Sequence, residues 1–183
     1  LMWNLRYLPE GIQGKIADLA LKIAPKEAAP LLMANIRYLP EGIREEIADL
    51  ALKIAPQEAA PALMANLQYL PEGIREGLAH WALEIAPQEV APVLMRNLRY
   101  LPERIREGLA RWALKIAPQE AAPPLMENLE YLPEGIQVEI ARWALEKAPQ
   151  EAALALMWNL EYLPEGIQGK IADLALKIAP QEA

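Results

Sequence analysis

Cysteine, phenylalanine, serine and threonine are all absent from this chain of 183 residues, and histidine occurs once, as His80. Without cysteine there are no disulfides, no thiolate zinc ligands and no thiol catalysis. Without serine or threonine the other common nucleophiles are missing too, and a lone histidine has no second histidine or cysteine with which to hold a metal. No glycine-rich phosphate loop and no metal-binding spacing occurs. The inventory predicts neither an enzyme nor a bound cofactor. Positive charge is also scarce: 18 Lys and Arg stand against 25 Asp and Glu, a net charge of −7. Phosphate contacts need a basic patch, so nucleic acid is not an expected partner. No apolar run approaches the roughly 20 residues that span a bilayer. Nor does the N-terminus show a basic segment followed by a long apolar one. Neither membrane nor secretory signal is expected, and the acidic balance suits a soluble chain, expected to be a monomer.

What is present is a repeat. Tyrosine stands at 7, 38, 69, 100, 131 and 162, asparagine at 4, 35, 66, 97, 128 and 159, and methionine at 2, 33, 64, 95, 126 and 157, always 31 residues apart and nowhere else. Such a period signals a solenoid or a ring. The units are 1–31, 32–62, 63–93, 94–124, 125–155 and 156–183, read as one repeat domain. A chain this long buries about 70% of its unfolded surface without staples.

Each unit reads as two helices. One opens at Pro9 and runs to Ala24; the other opens at Pro25 and continues through Leu32 to Leu39. Proline suits the first helical position, where its missing N–H is not needed. Pro30, one turn further in, is expected to shift the start or bend the helix slightly. Because proline both ends one helix and begins the next, the turns must be very short, which makes neighbouring helices antiparallel. The invariant Asn and Tyr rows are expected to make structural hydrogen bonds, Asn to a turn and Tyr to a neighbour.

Open solenoids need polar terminal repeats, and none is visible. Residues 156–183 match residues 1–28 except at Arg6/Glu161 and Lys26/Gln181. Pro180–Ala183 also spells the first turn of the helix that Leu1–Leu8 would continue. Both features predict a closed ring with Ala183 near Leu1; the alternative is an open superhelix that hides its ends by oligomerising. In repeat number, near-identity of units and missing end caps, the whole chain resembles de novo designed α-toroids, or pseudocycles. The joint absence of Phe, Ser and Thr agrees with an artificial origin. The resemblance implies a closed ring of helix-loop-helix units, in some members with an asymmetric central pocket for a small molecule. It implies no catalytic residues, and no location beyond the cytoplasm of an expression host.

The informative positions are those that differ between units. Opposite the constant apolar face of the second helix, the third residue of each unit reads Trp3, Ala34, Ala65, Arg96, Glu127, Trp158. The last reads Leu31, Ala62, Val93, Pro124, Ala155, and the sixth Arg6, Arg37, Gln68, Arg99, Glu130, Glu161. Large aromatics, small alanines and single charges at equivalent places predict an asymmetric cavity lining. Six helices about 9–10 Å apart around a hexagon leave a hole roughly 4 Å in radius. The predicted ligand contacts are Trp3, Trp158, Arg96, Glu127, Ala34, Ala65, Leu31 and Val93, with Arg96 meeting a carboxylate or pairing with Glu127. The long helices carry charge ladders such as Lys15, Asp18 and Lys22, which places them outside.

A second break in symmetry lies on those long helices. Leu19 and Leu50 give way to Trp81, Trp112 and Trp143, while Asp18 and Asp49 give way to His80, Arg111 and Arg142. Gly77 and Gly108 precede two of the tryptophans by four residues, as if to make room for the indole or for a ligand. If the helices are arranged the other way round, Trp81, Trp112, Trp143, Arg111, Arg142 and His80 form the pocket; otherwise the indoles are packing. Lys147 stands where every other unit has Ile. The function predicted is therefore a binder for one bulky, partly apolar small molecule, anionic and bile-acid-like if Arg96 meets it. The alternative is a structural scaffold or oligomer building block with no ligand.

Overall fold

Proline and asparagine decide where each repeat turns. Between α1 (Glu10–Ile23) and α2 (Pro25–Ala34) there is a single residue, Ala24, at φ −139° and ψ 68°. The proline that follows keeps Ala24 out of the helical basin and then opens the next helix at its first position. The same one-residue turn recurs at Ala55, Ala86, Ala117 and Ala148. Asparagine closes the short helix. The Asn35 backbone N–H shifts to the carbonyl three residues back (Leu32, 3.1 Å), and its side-chain Nδ2 donates to the carbonyl four back (Leu31, 2.8 Å). One residue thus satisfies two of the carbonyls that the ending helix would orphan. A 3-10 turn, Ile36–Tyr38, follows, and Leu39, forced extended by the next proline, leads into the next long helix.

The computed structural model describes residues 4 and 7–178. Its later helices repeat the pattern: α3 (Glu41–Ile54), α4 (Pro56–Ala65), α5 (Glu72–Ile85), α6 (Pro87–Arg96), α7 (Glu103–Ile116), α8 (Pro118–Glu127), α9 (Glu134–Lys147), α10 (Pro149–Asn159) and α11 (Glu165–Ile178). No strand occurs among the described residues. The chain is all-helical, built of helix-loop-helix repeats of about 31 residues, as the periodicity predicts.

Two details differ from the sequence reading. The second helix of each unit does not continue to the leucine before the proline; it stops at the asparagine, whose side-chain Nδ2 gives the carbonyl four residues back an alternative donor. The long helix opens one residue later than expected, since Pro9 is its cap at ψ 139° and not its first turn. Pro30 does not shift the start: α2 begins at Pro25 and runs through it.

The chain divides into two compact units, Leu1–Val90 and Ala91–Ala183. In the first, the long helices α1, α3 and α5 pack side by side as one layer and the short helices α2 and α4 as a second. In the second, α7, α9 and α11 form the long layer, α8 and α10 the short one. Paired alanines let the short helices approach closely: Ala28, Ala29, Ala59 and Ala60 are buried, as are Ala121, Ala122, Ala152 and Ala153. Leu32, Met33, Ile36 and Leu39, with Leu21, Leu52 and their equivalents, fill the space between layers. Each such side chain contributes about 1.5–3 kcal/mol.

The helix glycines are expected to make room for an indole or for a ligand; for the indole there is no steric basis, since a Cβ on Gly77 or Gly108 meets nothing within 4 Å. Gly14 differs, since its Cβ would lie 3.1 Å from Ile43 Cδ1 on α3. Gly77→Ala and Gly108→Ala should each raise stability by about 0.5–1 kcal/mol in urea unfolding, through helix propensity alone. Gly14→Ala should gain less or lose, as Ile43 must give way.

Candidate functional site

The carbonyls left by the 3-10 turn point at the thirteenth residue of each unit, and that row holds only Gln and Arg: Gln13, Arg44, Arg75, Arg106, Gln137, Gln168. Arg106 donates from Nε to Leu101 O (2.9 Å), from Nη2 to Arg99 O (3.1 Å) and from Nη1 to Tyr131 O in the next repeat (2.8 Å). Arg44 does the same with Leu39, Arg37 and Tyr69. The shorter Gln137 reaches only Leu132 O, at 2.8 Å, and its buried Oε1 has no partner. Sequence reasoning missed this row because it lies among variable charged positions. The signal was there, in that it never carries an acid while its neighbours change sign.

The Tyr row does meet its neighbours, largely through its backbone carbonyl, as in Tyr69 and Tyr131. Its rings serve the sixth-residue row. Arg37 donates to the Tyr38 hydroxyl and stacks 4.5 Å from that ring and 5.9 Å from the Tyr69 ring. Arg99 repeats the arrangement on Tyr100 at 4.7 Å.

The predicted ligand contacts on the short helices lie near or at their C-terminal ends. Trp158 is 80% exposed, Arg96, Glu127, Ala34 and Ala65 are exposed, Leu31 is largely so and Val93 is half-buried. Arg96 and Glu127 make no ion pair with each other among the described residues. Trp3 lies outside the described residues, as do Leu1 and Ala183, on which the closure expectation rests.

The long-helix candidates are brought into grooves between successive long helices. In the second unit, Arg111 on α7 bridges to α9. Its Nε meets Glu107 Oε1 at 3.0 Å, its Nη2 meets Glu139 Oε2 at 3.0 Å, and its guanidinium lies 5.9 Å from the Trp143 ring. The hydrogen bonds to Glu139 and Glu107 hold the guanidinium pKa above its usual value, and the bond from Arg111 holds the Glu139 carboxyl below its own. Arg142 is exposed beside them.

In the first unit the equivalent place, between α3 and α5, is a groove of about 650 Å³. Glu45, Glu46 and Asp49 form one wall, and Ile74, Gly77, Leu78 and the half-buried Trp81 the other. Two repeats separate corresponding residues: Glu45 matches Glu107, Asp49 matches Arg111, Gly77 matches Glu139 and Trp81 matches Trp143. No basic residue lines the groove, since Asp49 replaces the bridging arginine and turns to Lys53 at 2.6 Å. His80 is exposed on the same helix, and Trp112 is half-buried on α7. A smaller groove of about 340 Å³ between α1 and α3 has Lys15 among Asp18 and Glu46, and no aromatic. Among the described residues no cluster of three potential metal ligands occurs. No described helix is long and apolar enough to cross a membrane.

Fold and sites define an all-helical tandem-repeat protein with grooves between successive long helices. Comparison with protein-family models, curated proteins and solved structures returned no match.

Two predictions follow from the hydrogen bonds. Arg106→Ala should cost about 2–4 kcal/mol in urea unfolding, because three carbonyls lose a charged donor, whereas Gln137→Arg should gain about 1 kcal/mol by supplying the missing reach. For Glu139 the pH dependence has a definite sign. Its folded-state pKa is depressed, so its contribution is present above the unfolded carboxylate value of about 4.3 and fades as pH falls through the lower folded one. Thermal unfolding of Glu139→Gln should therefore fall below the parent at pH 7 and converge with it in acid.

Proposed function

We propose that the protein binds a small molecule, and that its site is the groove between α3 and α5, which takes a partly apolar organic cation such as an aryl amidinium or guanidinium. The observation that carries this reading is the chain's own counterpart of the complex. Two joints further along, in the second unit, Arg111 sets a guanidinium against Glu107 and near the Trp143 ring. The matching groove has the glutamate, as Glu45, and the indole, as Trp81, with no guanidinium between them. Gly77 leaves that space open. A ligand cation there would accept the place of Arg111, hydrogen-bonding Glu45 and lying against Trp81, while its apolar body rests on Ile74 and Leu78.

This placement differs from a central ring cavity. That second reading has the six units closed, Trp3 and Trp158 beside one another, and a bile-acid-like anion at Arg96; in its favour is the near-identity of residues 156–183 and 1–28. The two readings demand ligands of opposite charge.

The test uses tryptophan fluorescence in two variants built from the chain's own precedents. Trp112→Leu and Trp143→Leu copy Leu19 and Leu50, and Trp3→Ala and Trp158→Ala copy Ala34 and Ala65. With Trp81 alone remaining, benzamidinium should give a saturable change, weakened about two- to five-fold by Glu45→Gln. A flat titration in this folded variant would sink the groove assignment. A saturable response to a bile acid in a variant keeping only Trp3 and Trp158, lost in Arg96→Ala, would favour the ring cavity instead.

A further inference from the structure

The groove between α3 and α5 holds more negative charge than one bound cation answers. Its carboxylates, Glu45, Glu46 and Asp49, all stand on α3, and no basic residue lines it. Lys53 holds Asp49 at 2.6 Å, which leaves Glu45 and Glu46 without an ion pair among the described residues. The α7–α9 joint shows which acids a single guanidinium uses. There Arg111 draws on Glu107 from its own helix and on Glu139 from the facing one. Position by position, Glu45 matches Glu107, Gly77 matches Glu139, and Glu46 stands where α7 has Gly108. A cation in the place of Arg111 therefore meets Glu45. Glu46 is an acid that the bridged joint does without.

Glu46 also borders a second groove. It lines the space of about 340 Å³ between α1 and α3, together with Asp18 from α1. In the α7–α9 joint the eighteenth residue of one long helix bonds the fifteenth of the next, Arg111 to Glu139. In the α1–α3 joint those two positions are Asp18 and Glu46, both acids. Lys22 answers Asp18 at 2.7 Å, while Lys15 lines the same groove and pairs with neither acid among the described residues. Glu46 thus lies on the boundary of two grooves, in a negative field from both sides and without a counter-charge of its own.

We infer that the ligand of the α3–α5 groove is a dication, with one cationic group against Glu45 and Trp81 and the other at Glu46. This rests on the groove reading proposed above and specifies its ligand class. Successive residues on a helix diverge by about 100°, so at a side-chain radius of about 5–6 Å the two carboxylates lie roughly 8–9 Å apart. A rigid arene with a cationic group at each end spans that distance, as in an aryl amidinium carrying a para aminomethyl group. The groove, at about 650 Å³, has room for it.

The test compares para-(aminomethyl)benzamidinium with para-(hydroxymethyl)benzamidinium, which has nearly the same shape and one charge fewer. The readout is Trp81 fluorescence in the full-length variant that keeps no other tryptophan. The dication should bind about two- to five-fold more tightly. Glu46→Gln should abolish that gain and leave the affinity of the monocation unchanged, whereas Glu45→Gln should weaken both compounds. Glu89→Gln removes an exposed acid that lines neither groove, and the gain should persist in it. Equal affinity for the two compounds would overturn the dication and leave the groove reading standing, as would a gain that survives Glu46→Gln or disappears in Glu89→Gln. Binding of neither compound would overturn the groove reading, and this inference with it.

Discussion

Everything in this protein depends on how the chain turns a corner without loops. A repeat of 31 residues that spends one residue on one turn and a 3-10 turn plus an extended leucine on the other leaves backbone carbonyls with no helical partner. Buried carbonyls without donors cost stability, so the fold stands on the donors that answer them. Asparagine answers the end of the short helix, four residues back. Arginine or glutamine at the thirteenth position answers the 3-10 turn, and where it is arginine it also reaches the next repeat. The same guanidinium therefore finishes one turn and fastens one repeat to another. Packing of the alanine, leucine and methionine rows supplies most of the favourable free energy, but it is non-directional. The hydrogen bonds from Arg44 and Arg106 add directed links at two of the joints, while the joints that start from Gln13 and Gln137 pack without them.

That division explains what was legible from the sequence and what was not. The two helices of each repeat and the one-residue turn between them could be read because proline constrains both itself and the residue before it, locally and whatever the surroundings. The asparagine row could be assigned to a turn, but not the turn's position: a helix pattern running unbroken to Leu39 does not reveal that Asn35 competes for the carbonyls within it. The arginine clamps were invisible for a different reason. Their acceptors are carbonyls of another repeat, 25 residues away for Arg44 and Tyr69, and periodicity lists side chains without saying which backbone they approach. Among the candidate site residues, the sequence singles out the tryptophans and Arg111 as breaks in symmetry. It could not show that Arg111 is already engaged with Glu139 while its counterpart Asp49 turns away to Lys53. Nor could it show that Trp158 is largely exposed.

The symmetry of the repeat also makes its exceptions interpretable. Because equivalent positions share a backbone setting, a difference between two joints is close to a substitution experiment carried out within one molecule. Changing the eighteenth residue from Asp to Arg and the fifteenth from Gly to Glu, as between the α3–α5 and α7–α9 joints, turns an open acidic groove into a bridged one. Trp81 and Trp143 are held constant across that comparison. The open joint gives up an inter-helix ion pair of modest worth, since exposed pairs contribute about 0–1 kcal/mol. What it gains is volume beside an aromatic ring, which is the one thing a ligand requires and a scaffold does not.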